Sequence, residues 1–181
     1  MKVHQSITDR LKAFIERQPM FFVATAPLDP DGHVNVSPKG LPGTFVVLDD
    51  HTVAYLDLTG SGAETAAHLR DNGRITVMFC AFEGPPNIVR LHGRGRHVPL
   101  GDPELDSLRG YFADLPGVRG VVVVDVQRVS DSCGYAVPLL TQTGERDLLT
   151  SWADNRGEAG LETYRAKKNA VSIDGLPALG A

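Results

Sequence analysis

Four short apolar runs follow one another near the start of the chain: Met20 to Ala26, His33 to Ser37, Thr44 to Leu48 and Thr52 to Asp57. Little but turn sequence separates them. Leu28-Asp-Pro-Asp-Gly32 and Asp49-Asp50-His51 place Pro, Gly and Asp where a hairpin reverses. Strands this close together pair antiparallel, because a parallel pair needs a long crossover. An antiparallel sheet or barrel follows, rather than a doubly wound fold.

The rest of the chain fits that frame. Ser6 to Arg17 reads as a helix with Ile7, Leu11, Phe14 and Ile15 on one face, started by Ser6 and Asp9 and stopped before Pro19. Ala63 to Asn72 reads as a second helix closed by Gly73, and Arg74 to Phe82 as a strand. In the strand Ile88 to Val98, Arg90, His92, Arg94 and Arg96 share one face by their period of two. On the other face, Gly93 and Gly95 imply a bend or a close backbone neighbour. Asp102-Pro103 starts a helix running to about Tyr111, and Val121 to Val129 is a strand. Two helical stretches, Asp147 to Asn155 and Leu161 to Lys168, precede an extended tail at 169–177, too apolar to be a free linker. The tail is expected to pack on its own or a neighbouring subunit.

A chain of 181 residues fits one domain, with a core at about 19–130 and an extension at 131–181. A net charge of -4 with no basic block argues against nucleic acid. No apolar run reaches the roughly 18 residues of a membrane span, and the N-terminus lacks the apolar core of a signal peptide. Cys80 and Cys133 have no ligand spacing, so neither a metal nor a disulfide is expected, and a cytoplasmic setting follows.

The stretch Asn35 to Thr65 carries the chemistry. A strand ends in Ser37-Pro-Lys-Gly40, and a later one runs into Gly60-Ser-Gly-Ala-Glu-Thr65 at a helix start. Glycines let backbone approach a ligand, and a helix start offers free N–H groups and a positive dipole end. With Lys39 this makes a phosphate cradle for a nucleotide-type cofactor. The plain alternatives are a solvated turn lysine and an ordinary strand-to-helix turn. Arg90, His92, Arg94 and Arg96 are either a solvated edge face or a cationic wall.

In this order the motifs resemble the pyridoxamine 5'-phosphate oxidase-like family, the FMN-binding split barrels. Those motifs are Phe22-Val-Ala-Thr25, Asp31-Gly-His-Val-Asn-Val-Ser-Pro-Lys-Gly40, Val53-Ala-Tyr-Leu-Asp57, His68 to Phe79 and Val89 to Gly95. The resemblance covers roughly the first 130 residues. It implies a mainly β fold with peripheral helices: a six-stranded antiparallel split β-barrel, forming a homodimer with FMN in clefts between subunits. The cofactor contacts it implies are Ser37 and Lys39; Tyr55, Leu56 and Asp57; Ser61, Gly62, Glu64 and Thr65; and, less directly, Arg90 and Tyr135. Two features depart from the family. Val34 stands where the oxidases carry an Arg, and Gly60 to Thr65 where they carry Ser-Arg-Lys, so the phosphate grip should be weaker. The oxidases' C-terminal Arg-x-His pair is also missing, which removes the basis for pyridoxamine phosphate oxidation. A flavin-dependent oxidoreductase acting on a small molecule is the leading expectation, with no catalytic side chain identified. An F420-dependent reductase, or a non-catalytic flavin- or haem-binding module, are the alternatives.

Overall fold

The computed structural model describes residues 1–179. In chain order the elements are β1 (Lys2–His4), α1 (Asp9–Glu16), β2 (Met20–Thr25), β3 (Asn35–Gly40), β4 (Phe45–Val47), β5 (Thr52–Leu58) and α2 (Glu64–Asp71). Then come β6 (Arg74–Cys80), β7 (Ile88–Pro99), α3 (Pro103–Leu108) with a 3-10 turn at Arg109–Tyr111, β8 (Val118–Ser132) and α4 (Leu148–Lys168). The described residues form one antiparallel sheet of eight strands, ordered β3-β2-β6-β7-β8-β5-β4, with β1 on β8.

The sheet curls. β3 and β4 are joined by a short turn, yet they lie at opposite ends of the hydrogen-bonded order. Rings on non-neighbouring strands meet inside the curl: Phe21 of β2 lies 5.4 Å from Tyr55 of β5, and Phe45 of β4 lies 5.0 Å from Phe79 of β6. These rings, with Val23, Val77, Leu91 and Val122, form the buried core that α1 closes with Leu11 and Ile15. The two ends of the sheet approach without pairing, which makes the barrel split.

The expected architecture is present with eight strands, two more than the resemblance implies and one more than the seven read along the chain. The strand missed along the chain is β1, whose three residues carry no alternation to betray them. The first helix starts at Asp9 with Thr8, not Ser6, accepting the capping bond from the Leu11 N–H. The two C-terminal helical stretches meet as α4 at Gly157, whose backbone is non-helical (φ 64, ψ 169).

The tail packs on its own chain. Ala178 lies with Ala63, Ala66 and Ala67 of α2, and Ala178 N–H donates to Ala170 O at 2.9 Å. Gly93 of β7 sits where β8 carries a bulge, and a Cβ there would fall 2.1 Å from the Asp125 carbonyl oxygen. Backbone cannot yield as a side chain does. Gly93→Ala should therefore lower stability by about 1–3 kcal/mol, as overpacking does. Urea unfolding followed by circular dichroism checks this; an unchanged midpoint would mean β7 and β8 are not so close.

Candidate functional site

The edge strand β3 is polar on the inside and apolar on the outside. Asn35, Ser37 and Lys39 stand across from Thr25, Val23 and Phe21 of β2, all buried, so these three face the interior of the curl. Val34, just before the strand, and Val36 are exposed. A free edge with this inverted pattern needs polar partners on its inner side, and it finds them.

Asn35 joins the sheet to the start of α2. Its Nδ2 donates to Thr65 Oγ1 and Thr25 Oγ1, each at 3.1 Å, and its Oδ1 accepts from Ser37 Oγ at 2.8 Å. Thr25 Oγ1 and His68 Nδ1 share a further bond of 3.0 Å. Either tautomer of the ring satisfies that bond, and the other ring nitrogen is Nε2. That Nε2 is buried without a partner, and burial pushes the His68 pKa down, so the ring stays neutral. Ser37 and Thr65, both expected at the site, are thus linked by Asn35, which was not, and His68 supports the group through Thr25. The signal for Asn35 was legible in the inverted alternation of β3; nothing local marked His68.

Lys39 closes the split. Its Nζ lies 3.7 Å from Asp57 Oδ1 at the far end of β5. Asp57 is buried and has two partners besides. Arg119 donates through Nε to Oδ2 at 2.8 Å and through Nη2 to Oδ1 at 3.1 Å, and His97 Nε2 lies 3.1 Å from Oδ2. Gly120 leaves room for that imidazole, since a Cβ there would fall 2.6 Å from His97 Nε2. Burial alone would raise the Asp57 pKa. The Arg119 charge, the His97 hydrogen bond and the Lys39 charge override it and hold the carboxyl far below the usual carboxylate range. Lys39 keeps a quarter of its side chain exposed, whereas Arg119 keeps 5 %.

A cavity of about 1070 Å³ opens beside Lys39. Lys39, Gly40, Leu56, Leu58 and Gly60 line it together with Phe14, Met20 and a wall of residues from the segment Leu140 to Leu149. Leu140 N–H donates to Phe82 O at 2.9 Å, which fixes one end of that wall.

The remaining expected residues fare differently. Tyr55 lies in the core, its hydroxyl buried without a partner and its pKa raised by burial and by the Asp57 charge. Leu56 reaches the cavity, and Asp57 acts through Lys39 rather than by facing the cavity itself. Ser61 is exposed, and the Gly60 and Ser61 carbonyls accept from Asn169 Nδ2 at 3.0 and 3.5 Å. A Cβ at Gly62 would fall 2.3 Å from Glu64 Oε2, so the chain's own carboxylate lies over the start of α2. Arg90 stands across from Met78, itself across from Phe22, on the sheet face opposite Lys39, and donates to Ser132 Oγ at 3.2 Å. Tyr135 is 82 % exposed in the turn after β8. Within one chain, neither Arg90 nor Tyr135 joins the β3 group.

The family model for pyridoxamine 5'-phosphate oxidase matches residues 7–133, the whole of the curled sheet except β1. The chain belongs to the pyridoxamine 5'-phosphate oxidase family. It is 43% identical over 194 residues to the pyridoxamine 5'-phosphate oxidase family protein ustO of Aspergillus flavus, a match spanning 97% of this chain and 77% of the relative. Unlike the family model, that match takes in the C-terminal extension. Among solved structures, HupZ of Group A Streptococcus superposes with a TM-score of 0.53 and 25% identity, covering 70% of this chain and 99% of that one. A Clostridium acetobutylicum protein related to general stress protein 26 superposes at 0.50 with 12% identity, covering 76% and 92%, and shares the fold.

Asp57→Asn would leave Arg119 buried without its counter-charge, at a cost of about 3–5 kcal/mol. The folded carboxyl is depressed, so its contribution is whole above the unfolded pKa of about 3.9 and is lost as pH falls below it. Wild-type stability should decline on acidification from about pH 5, and the variant should lack that part of the decline. Urea unfolding between pH 3 and 7 measures both; parallel curves would place Asp57 outside the network.

Proposed function

We propose that this family member is a flavin-dependent oxidoreductase acting on a small organic molecule, with FMN in the cavity beside Lys39. The observation that carries the reading is Lys39 on the inner row of β3, which lines a cavity large enough for a mononucleotide, with Ser37 on the same row linked through Asn35 to Thr65 at the start of α2. The residues present fit a phosphate-bearing ligand. Lys39 is a partly exposed cation whose ion pair with Asp57 is loose, at 3.7 Å.

FMN, when bound, would supply the redox chemistry. The chain would hold its phosphate with Lys39, assisted by the polar row of Ser37, Asn35 and Thr65 that continues from it, and seat its ring against Leu56, Leu58 and Met20. The wall from Leu140 to Leu149 would exclude water. No Cys or His lines the cavity among the described residues, as suits an enzyme whose reactive atom belongs to its cofactor. A second copy of the chain is the proposed partner. It would cover the outer sheet face, where Val36 is exposed and Phe22, Ala24 and Met78 are only half-buried, and it would bring its own Arg90 and Tyr135 near the ring. No helix among the described residues is long and apolar enough to cross a membrane. Both cysteines are free, as a cytoplasmic setting would keep them.

Titration of the purified protein with FMN, followed by flavin fluorescence and absorbance, tests the reading. Saturable binding of one FMN per chain supports it. Binding of deazaflavin F420 but not FMN would transfer the site to that cofactor, and binding of neither would overturn it. Lys39→Ala should weaken FMN binding by about 1.5–3 kcal/mol, the scale of a charged hydrogen bond; unchanged affinity would return Lys39 to a purely structural role beside Asp57.

Glu64→Gln should act the other way. Removing the carboxylate from the start of α2 should tighten FMN binding by about 0.3–1 kcal/mol, the usual scale of a charge at a helix end. Isothermal titration of both proteins decides it, and a weaker variant would mean that Glu64 supports the site.

A further inference from the structure

The loop from Thr59 to Gly62 reaches the candidate cavity at Gly60 and leads into α2, yet it has little of its own to hold it still. It contains two glycines, which carry the largest conformational freedom of any residue. The helix it starts has no side-chain cap, because Ala63 stands at the N-cap position. A loop built this way would be loose unless something outside it fixed its shape.

The Gly117 carbonyl holds the Thr59 N–H at 2.7 Å, and the rest of the hold comes from the other end of the chain. Asn169, at the end of α4, is fully buried. Its Nδ2 donates to the Gly60 carbonyl at 3.0 Å and to the Ser61 carbonyl at 3.5 Å. Its backbone N–H donates to Arg165 O at 2.8 Å, and its own carbonyl accepts from Leu179 N–H at 3.0 Å. One side chain is therefore anchored by both the helix and the tail while it grips the loop. One turn earlier, Arg165 Nη1 donates to Thr59 Oγ1 at 3.4 Å. Beyond the loop, Ala178 packs on Ala63, Ala66 and Ala67.

We propose that Asn169, assisted by Arg165, is a positioning residue: it holds the carbonyl side of the Thr59–Gly62 loop and so fixes the cofactor end of the cavity. With the carbonyls of Gly60 and Ser61 turned toward Asn169, the start of α2 keeps one orientation relative to Thr65, Asn35 and Ser37. Ordering the loop before a ligand arrives removes a cost that binding would otherwise carry. The C-terminal extension thereby becomes part of the site without touching the ligand. The ordering by Asn169 stands on geometry alone; its service to a cofactor rests on the flavin reading above.

The test uses the full chain and two readouts. In flavin-free protein, Asn169→Ala should speed hydrogen exchange of the backbone amides at 61–66 about tenfold, while amides of β7 and β8 keep their wild-type rates. In the same variant the FMN dissociation constant should rise at least fivefold, and Asn169→Gln, which keeps the donor, should recover part of the loss. Arg165→Met, which removes only the Thr59 contact and the partner of Glu158, should shift both readouts the same way by about threefold, and it decides the matter if Asn169→Ala does not fold. Unchanged exchange at 61–66 would overturn the proposal. So would faster exchange with an unchanged FMN constant in a wild-type protein that binds FMN. A wild-type protein that binds no flavin would sink the flavin reading instead, and the exchange result would then decide the positioning role by itself.

Discussion

A buried carboxylate holds this molecule closed. Asp57 ends β5 inside the curl, where a charge is costly unless it is paired. Arg119 meets it side-on through two nitrogens, His97 adds a third contact, and Lys39 reaches it from the far edge strand. Backbone hydrogen bonds cannot join β3 to β4 and β5, since the sheet order leaves them at opposite ends. Side chains bridge the gap instead. The same arrangement fixes where Lys39 lies, so the closure of the barrel and the placing of a cation at the cavity follow from one ion cluster.

The cluster is not fully satisfied. Arg119 Nη1 and the Tyr55 hydroxyl are buried with no partner, within reach of the same charges. Unpaired buried donors destabilise a fold and are retained where the surroundings dictate them. Here the Asp57 pairing uses one edge of the guanidinium and leaves the other idle. The candidate site has a comparable tension at the start of α2. The place that a helix dipole makes attractive to an anion is covered by Glu64.

Much of the fold was legible because its signals are local. Tight turns between short apolar runs dictate antiparallel hairpins, and the period of two in β7 placed Gly93 and Gly95 against close neighbours. The strand count fell short because β1 is three residues long and owes its existence to β8. Of the site, Ser37, Lys39 and Thr65 stood out through turn and helix-start chemistry. Asn35 was hidden in plain view on the inner face of β3. That the Tyr55 side chain turns into the core was not legible, because a strand shows its alternation but not which face turns inward. Arg119, His97 and Asn169 could not be found by spacing: they lie 62, 40 and 109 residues from the groups they hold, and only the curl and the folded tail bring them there.

The central claim is that the phosphate of a redox nucleotide meets the inner row of β3 and the Thr65 hydroxyl. Riboflavin differs from FMN only in lacking that phosphate. Backbone amide shifts of the labelled protein, recorded with each ligand in turn, separate the two ends of the cofactor. Shifts present with FMN and absent with riboflavin should centre on residues 35–39 and 61–65. Identical shifts with both ligands, or phosphate-dependent shifts confined to other elements, would contradict the account.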